Sequence, residues 1–190
     1  RQQMRMLDIL LEVDRICKKY DIPYWLSSGT LIGAMRHDGF IPWDDDLDVS
    51  MLEEDYRKLE KILVGMESEE YFFQCTKTDP DYVNVFGKFR KKIGSVETTD
   101  FRAQYFKFQG IGLDVFYIEK ATMFAAHLAK FFYLNMQHPT QYIKNRLLRH
   151  LAIKVVCVIN FVLLIPLARL IGLFNPRDEY RVCVGSGFYK

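Results

Sequence analysis

The sequence predicts an α+β protein, with helices interleaved into a mixed sheet and a helical part after it. Two patterns point there. Short apolar or alternating runs recur between amphipathic stretches up to residue 118, and from Ala121 onward most of the chain carries helical periodicity. At 190 residues, with 49% hydrophobic and 26% charged side chains, the chain can bury a real core and is not a disordered segment. The division expected is a core over 1–118 and a helical, basic and apolar part over 119–190. No terminal signal is recognisable near Arg1 or Lys190, so a piece of a longer protein is expected.

Met6, Leu10, Val13, Cys17 and Tyr20 recur at spacings of 4, 3, 4 and 3, which lays one apolar stripe along a first helix. Asp21 and Pro23 end it. Residues 24–26 read as a short strand running into Ser27-Ser28-Gly29-Thr30, and 31–36 as a short helix before an Asp38-Gly39 turn. Residues 46–51 alternate as a strand, and 53–64 repeat as an amphipathic helix. Further strands are expected at 71–75, 83–90, 93–98 and 111–116, with a turn at 78–81. The remainder reads as helix, broken only around Pro139 and Asn175-Pro176.

Charge is distributed unevenly. Residues 1–119 carry 16 Lys and Arg against 22 Asp and Glu, whereas residues 120–190 carry 10 against 2. A basic, apolar second part suits an anionic neighbour such as a membrane surface, a lipid-linked substrate or a polyphosphate; a solvated basic face is the plainer reading. The apolar stretch 151–174 is interrupted by Lys154, Pro166 and Arg169. Its uncharged centre, 155–168, has 14 residues, short of the roughly 20 that span a bilayer. A buried core helix and a membrane-surface helix both fit it. Cys17, Cys75, Cys157 and Cys183 show neither a CxxC nor a Cys/His ligand spacing, which excludes a zinc module and suits reduced thiols. The setting expected is cytoplasmic, with contact to the inner face of a membrane through 151–174. Nucleic acid is not among the expected partners.

Three segments carry chemistry. In a strand, Asp46, Asp48 and Ser50 project to one face and Leu47, Val49 and Met51 to the other, placing two carboxylates roughly 6–7 Å apart. Unpaired, they would repel and desolvate badly; a hard divalent cation answers both problems. An acidic turn capping the next helix is the plainer alternative. Ser27-Ser28-Gly29-Thr30 places small residues where a helix opens, so a phosphate can approach the backbone and the free N–H groups, although an ordinary N-cap has the same look. Asp114 stands alone in the apolar run Gly112-Leu113-Asp114-Val115-Phe116. It is either a third metal ligand or a base for an incoming hydroxyl, or it is paired with Lys88 or Arg90. Lys88, Arg90 and Arg36 are candidates to neutralise phosphate charge, with surface charge as the alternative.

The run from Tyr24 to Val49, containing Ser28-Gly29-Thr30, Arg36-His37-Asp38-Gly39 and Pro42-Trp43-Asp44-Asp45-Asp46-Leu47-Asp48, closely resembles the signature of the LicD family. Gly112-Leu113-Asp114-Val115-Phe116 looks like that family's second acidic strand. The family includes bacterial phosphocholine transferases, and fukutin and the fukutin-related protein belong to the wider group. The resemblance implies a nucleotidyltransferase fold like that of DNA polymerase β. It further implies that Gly29 and Thr30, with Ser28, hold donor phosphates, and that Asp46, Asp48 and Asp114, supported by Asp44, hold Mg²⁺ or Mn²⁺. The implied donor is a CDP-activated small alcohol such as CDP-choline, and the implied acceptor a glycan or lipid-linked glycan, as in lipopolysaccharide or teichoic acid modification. Asn175 to Lys190 lacks the Tyr-Gly-Asp that the family carries near its end, so part of the acceptor pocket is expected to be missing. Transfer of the NMP moiety itself, or a non-catalytic scaffold role at a membrane, are the rival functions.

Overall fold

The computed structural model describes residues 2–82, 84–94, 101–121, 127–128, 131–132, 135, 138–159, 162–163, 166–167, 170 and 179–183. The chain forms two compact units, Arg1–Tyr117 and Ile118–Lys190. The first contains α1 (Gln2–Lys19), β1 (Trp25–Leu26), α2 (Ser28–Arg36), β2 (Asp48–Leu52), α3 (Glu53–Val64), β3 (Tyr71–Gln74), β4 (Gly87–Lys91) and a 3₁₀ turn (Ala103–Tyr105). β5 (Gly112–Ala121) begins in the first unit and runs four residues past its boundary at Tyr117. The second unit holds α4 (His138–Gln141), α5 (Arg146–Ile159) and β6 (Glu179–Cys183). This is the α+β class expected.

Five strands lie side by side in the order β1-β2-β5-β4-β3. The β1/β2, β3/β4 and β4/β5 pairs are antiparallel. Register places Phe73 against Phe89 and Phe89 against Leu113, so one apolar row crosses three strands. With Val49, Met51 and Val115 it is fully or almost fully buried, and α1 packs on β4 while α3 packs on β2 and β3. The other face carries Asp48, Ser50, Asp114, Lys88 and Gln74, because side chains alternate along a strand. Each buried Leu, Val or Phe of the apolar face contributes roughly 1.5–3 kcal/mol. Leu113 and Val115 can therefore offset the cost of holding Asp114 between them in the same strand.

Several sequence expectations shift. The buried stripe of α1 is Met6, Ile9, Val13, Ile16 and Cys17; Tyr20 lies past the helix end and is exposed. α2 begins at Ser28 rather than residue 31, which puts Gly29 and Thr30 inside its first turn. β2 begins at Asp48 rather than 46; β1 pairs with it through Trp25 to Ser50 and Leu26 to Val49. The strand expected over 83–90 begins only at Gly87. Tyr82 and Phe86 are committed instead to ring contacts with Phe106 at 5.7 Å and Phe116 at 4.7 Å; Val83 lies outside the described residues. No strand forms at Ile93 and Gly94, where a positive φ of 95° at Gly94 turns the chain; 95–98 lie outside the described residues. β5 runs to Ala121, beyond the expected 116. Pro139 sits inside the short α4 near its start, a position that costs no helical hydrogen bond. Residues 179–183 form a strand where helix was expected; Tyr180, Val182 and Cys183 suit a pleated backbone.

Among the described residues no helix is long and apolar enough to cross a membrane. Among the described residues of 151–174, Leu151, Val155, Val158, Val162, Leu163, Leu167 and Leu170 are exposed and Val156 is buried. The buried-helix reading of that stretch therefore fails for these residues.

Glycine at 110 is required sterically. A Cβ there would meet the Lys91 carbonyl oxygen at 1.9 Å, and Lys91 is tied to the same segment by its N–H to the Ile111 carbonyl at 2.9 Å. At Gly65 the nearest atom to an added Cβ lies at 3.5 Å. Gly110→Ala is expected to cost roughly 1–3 kcal/mol in urea melts and Gly65→Ala less than about 0.5 kcal/mol. Equal effects would contradict the packing described.

Candidate functional site

The acidic loop before β2 is suspended from three elements. From α1, Gln3 Nε2 donates to the carbonyls of Ile41 at 2.9 Å and Asp44 at 3.1 Å. From α2, the Thr30 hydroxyl accepts the Asp48 N–H at 2.8 Å, and the Ser27 N–H donates to the Asp48 carbonyl at 3.1 Å. From β5, the Asp114 N–H donates to the Leu47 carbonyl at 2.8 Å. Both backbone polar groups of Asp48 are thus satisfied by the turn that opens α2. Burial of Leu47 and Val49 on either side leaves the Asp48 side chain one direction to take.

Asp48 is buried, and burial together with Asp114 and Asp46 pushes its carboxyl up to about 7, against opposing pulls from Ser28 and Lys88. Asp46 is raised by burial, then by Asp44 and Asp114, and shares a side-chain hydrogen bond with Asp44. Asp114, with 14% of its side chain exposed, is raised by burial despite Lys88 and Arg90. Desolvation is the first cause in all three, and mutual repulsion adds to it in Asp46 and Asp48. Lys88 pairs with Asp114, its Nζ standing 2.8 Å from Asp114 Oδ1. Lys88 and Asp114 are directly opposite each other in the β4/β5 ladder, and Gly112 opens the space for the pair: a Cβ there would lie 2.8 Å from the Lys88 stem.

Arg90 lies on the same side of β4. Its Nε donates to Gln74 Oε1 at 2.6 Å and its Nη1 to the Gly110 carbonyl at 2.7 Å. Gln74 is fully buried and donates on to Asp79 Oδ2 at 2.7 Å, which also accepts the Lys107 N–H at 3.0 Å. This relay holds the guanidinium at the wall of a cavity of about 270 Å³ bounded by Asp45, Asp46, Tyr82, Asn84, Lys88, Arg90, Gln109 and neighbouring backbone. Carboxylates and cations thus border one space.

The sequence-predicted residues separate into two groups. Asp46, Asp48, Asp114, Lys88, Arg90, Ser28 and Thr30 are brought together. Ser28 takes a positive φ of 50° and hydrogen-bonds the Asp48 carboxylate. At Gly29 an added Cβ would lie 2.6 Å from Asp44 Oδ2, the end of a movable side chain, so the space beside the first turn of α2 is filled by the Asp44 carboxylate. Ser27 Oγ, buried at the same turn, has no hydrogen-bond partner. Arg36, the last residue of α2, stands about 12 Å along the helix from Ser28 and does not line the cavity. His37 meets Trp43 edge-on at 6.3 Å and does not line the cavity. Sequence reasoning missed Gln3, Gln74, Asp79, Tyr82, Asn84 and Gln109. The Asp79-Pro80-Asp81 turn was visible, but nothing in it signalled that Asp79 anchors an arginine.

Among the described residues no three His, Cys, Asp or Glu side chains are gathered as a metal-binding group. The chemistry of the donor set nevertheless fits a hard divalent cation: all oxygens, with raised carboxyls that such a charge would relieve.

The LicD/FKTN/FKRP nucleotidyltransferase-domain family matches residues 21–157. The lipopolysaccharide cholinephosphotransferase LicD of Haemophilus influenzae is 46% identical over 70 residues, 37% of this chain and 26% of that protein. Human ribitol 5-phosphate transferase FKRP is 44% identical over 41 residues, 22% of this chain and 8% of its own. Mouse ribitol-5-phosphate transferase FKTN is 36% identical over 53 residues, 28% and 12% respectively. The chain therefore matches about a quarter or less of the length of these relatives.

Two measurements probe the geometry. Thr30→Val removes the acceptor for the buried Asp48 N–H and is expected to cost roughly 1–3 kcal/mol, with Thr30→Ser recovering most of it; equal loss in both would discount the hydroxyl. The second concerns pH. Asp48 moves from its ordinary 3.8 to about 7 on folding, so folding favours its protonated form and stability falls as pH rises through that interval. In chelator-treated protein, wild type should lose on the order of 2 kcal/mol more than Asp48→Asn between about pH 5 and pH 8. Parallel pH profiles would remove the inferred repulsion.

Proposed function

Since this chain belongs to the LicD/FKTN/FKRP family, we propose that it transfers a phospho-alcohol, with phosphocholine as the leading case, from a CDP-activated donor to a glycan or lipid-linked glycan hydroxyl. The observation that carries this reading is that Asp45, Asp46, Lys88 and Arg90 line one cavity, with Asp48 and Asp114 close enough to Asp46 to act on its charge and Lys88 paired to Asp114. That is the charge pattern a pyrophosphate and its counter-ion require. The names of the relatives, a cholinephosphotransferase and two ribitol-phosphate transferases, support transfer of the alcohol-bearing phosphate over transfer of the NMP moiety. The nucleotidyltransferase fold is part of the same proposal, supported by the acidic residues on the adjacent strands β2 and β5.

In the reaction the acceptor hydroxyl attacks the phosphorus that bears the alcohol. The bond from that phosphorus to the bridging oxygen breaks, CMP leaves with the oxygen, and a phosphodiester joins alcohol to glycan. Asp46 and Asp48 would hold a divalent cation, with Asp114 joining them in exchange for its ion pair to Lys88 and Asp44 in support. When bound, Mg²⁺ or Mn²⁺ supplies charge neutralisation for the pyrophosphate. Lys88, released from Asp114, turns its ammonium to the donor phosphates, and Arg90 presents a guanidinium held by Gln74 and Gly110. The first turn of α2 takes a phosphate through Ser28, Gly29 and Thr30 when Asp44 swings away. Asp114 accepts the hydroxyl proton. Buried thiols at Cys17 and Cys75 support work in a reducing, cytoplasmic setting.

The test is calorimetric binding of CDP-choline with and without Mg²⁺, followed by product analysis with the label in either half of the donor. Asp48→Asn should abolish metal-dependent binding, and Lys88→Ala should lower transfer by about 10²-fold or more. Label from choline in the glycan supports this reading, whereas label from CMP supports nucleotidyl transfer. If CDP-choline fails but CDP-ribitol binds, the donor alcohol is corrected and the reaction stands. Failure of both donors on folded protein leaves the scaffold role.

A further inference from the structure

Helix α5 is amphipathic in the inverse sense to α1 and α3. At about 100° per residue, Leu147, Leu148, Leu151, Val155 and Val158 fall within an arc of about 100°, and their exposures run from 52% to 81%. The opposite pole is buried, with Arg149 at 0%, its Nη1 donating to the Ile143 carbonyl at 3.1 Å, and Val156 beside it. Exposed Arg146 and Lys154, with half-buried His150, run along one border of the apolar arc. The exposed apolar side chains continue past the helix at Val162, Leu163, Leu167 and Leu170.

We propose that this stripe of α5 lies on an anionic lipid surface, its leucines and valines in the acyl boundary and Arg146 and Lys154 at the headgroup phosphates. A contiguous apolar stripe turned to water calls for a covering partner. The charge identifies which: α5 holds no Asp or Glu, and none occurs between Glu119 and Asp178, so the border of the stripe carries positive charge. A second copy of the stripe would bring no acidic side chain to those cations. Arg146, Arg149 and Lys154 recur along the length of α5, which suits a helix lying along the surface.

Vesicle binding needs neither donor nor metal, so this inference and the transfer reading succeed or fail separately. The chain is co-sedimented with phosphatidylcholine vesicles with and without phosphatidylglycerol, at low and high salt, and its oligomeric state is measured alongside. Binding is expected to be on the order of tenfold or more tighter to the anionic vesicles and weakened by salt. Leu151→Asp/Val155→Asp should reduce it about tenfold or more, and the charge pair Arg146→Glu/Lys154→Glu should remove the preference for anionic lipid. Circular dichroism checks that each variant is folded. Absence of binding to anionic vesicles overturns the proposal, as does binding indifferent to both variants of a folded chain. Self-association lost in the apolar variant, without vesicle binding, reassigns the stripe to a second copy.

Discussion

The architecture of the first unit turns on holding two carboxylates, Asp48 and Asp114, on the neighbouring strands β2 and β5, with Lys88 on β4 paired to Asp114. Lys88 satisfies Asp114 across the β4/β5 ladder, and Asp48 is left with a serine hydroxyl and a raised pKa. Breaking a buried ion pair costs several kcal/mol, while the pair itself adds little net stability. The arrangement therefore persists because the apolar face behind it is large enough to carry it. Val49, Met51, Phe73, Phe89, Leu113 and Val115 are all buried on that face.

Around this constraint the small residues do specific jobs. Gly112 leaves room for the stems of Lys88 and Arg90, and Gly29 for the carboxylate of Asp44. Gly33 lets the loop carbonyl of Gly39 and the Ile41 N–H approach α2, where a Cβ would stand 2.5 Å and 2.9 Å from them. Thr30 uses its hydroxyl to tie α2 to the start of β2. The same short segment thus builds the acidic loop and lies beside it, which couples the local fold directly to the charge of the site. Asp45 and Asp46 together with Lys88 and Arg90 bring charges of both signs to the cavity lining.

The second unit follows a different rule. In α1 and α3 the apolar stripe faces the core and the polar side carries ion pairs such as Lys18–Asp14 and Lys58–Asp55. In α5 an arginine is buried and the aliphatic side chains face outward. Helical periodicity alone reports that a stripe exists, not which way it turns.

The α+β class, the helix at 53–64, the apolar-polar alternation around Asp48 and the isolation of Asp114 could all be read from the sequence, because each is a local pattern with a fixed geometric period. The run from Tyr24 to Val49 also carried the family resemblance that the match over residues 21–157 supports. What the tertiary structure decided were relations between distant residues. Asp46 falls outside its strand, which begins at Asp48; Lys88 stands opposite Asp114; Arg90 is held by Gln74 and the cavity wall includes Asn84 and Gln109; and Arg36 is carried away by the length of α2. These depend on strand register, ladder partners and helix end points, none of which is encoded by the spacing of neighbours along the chain.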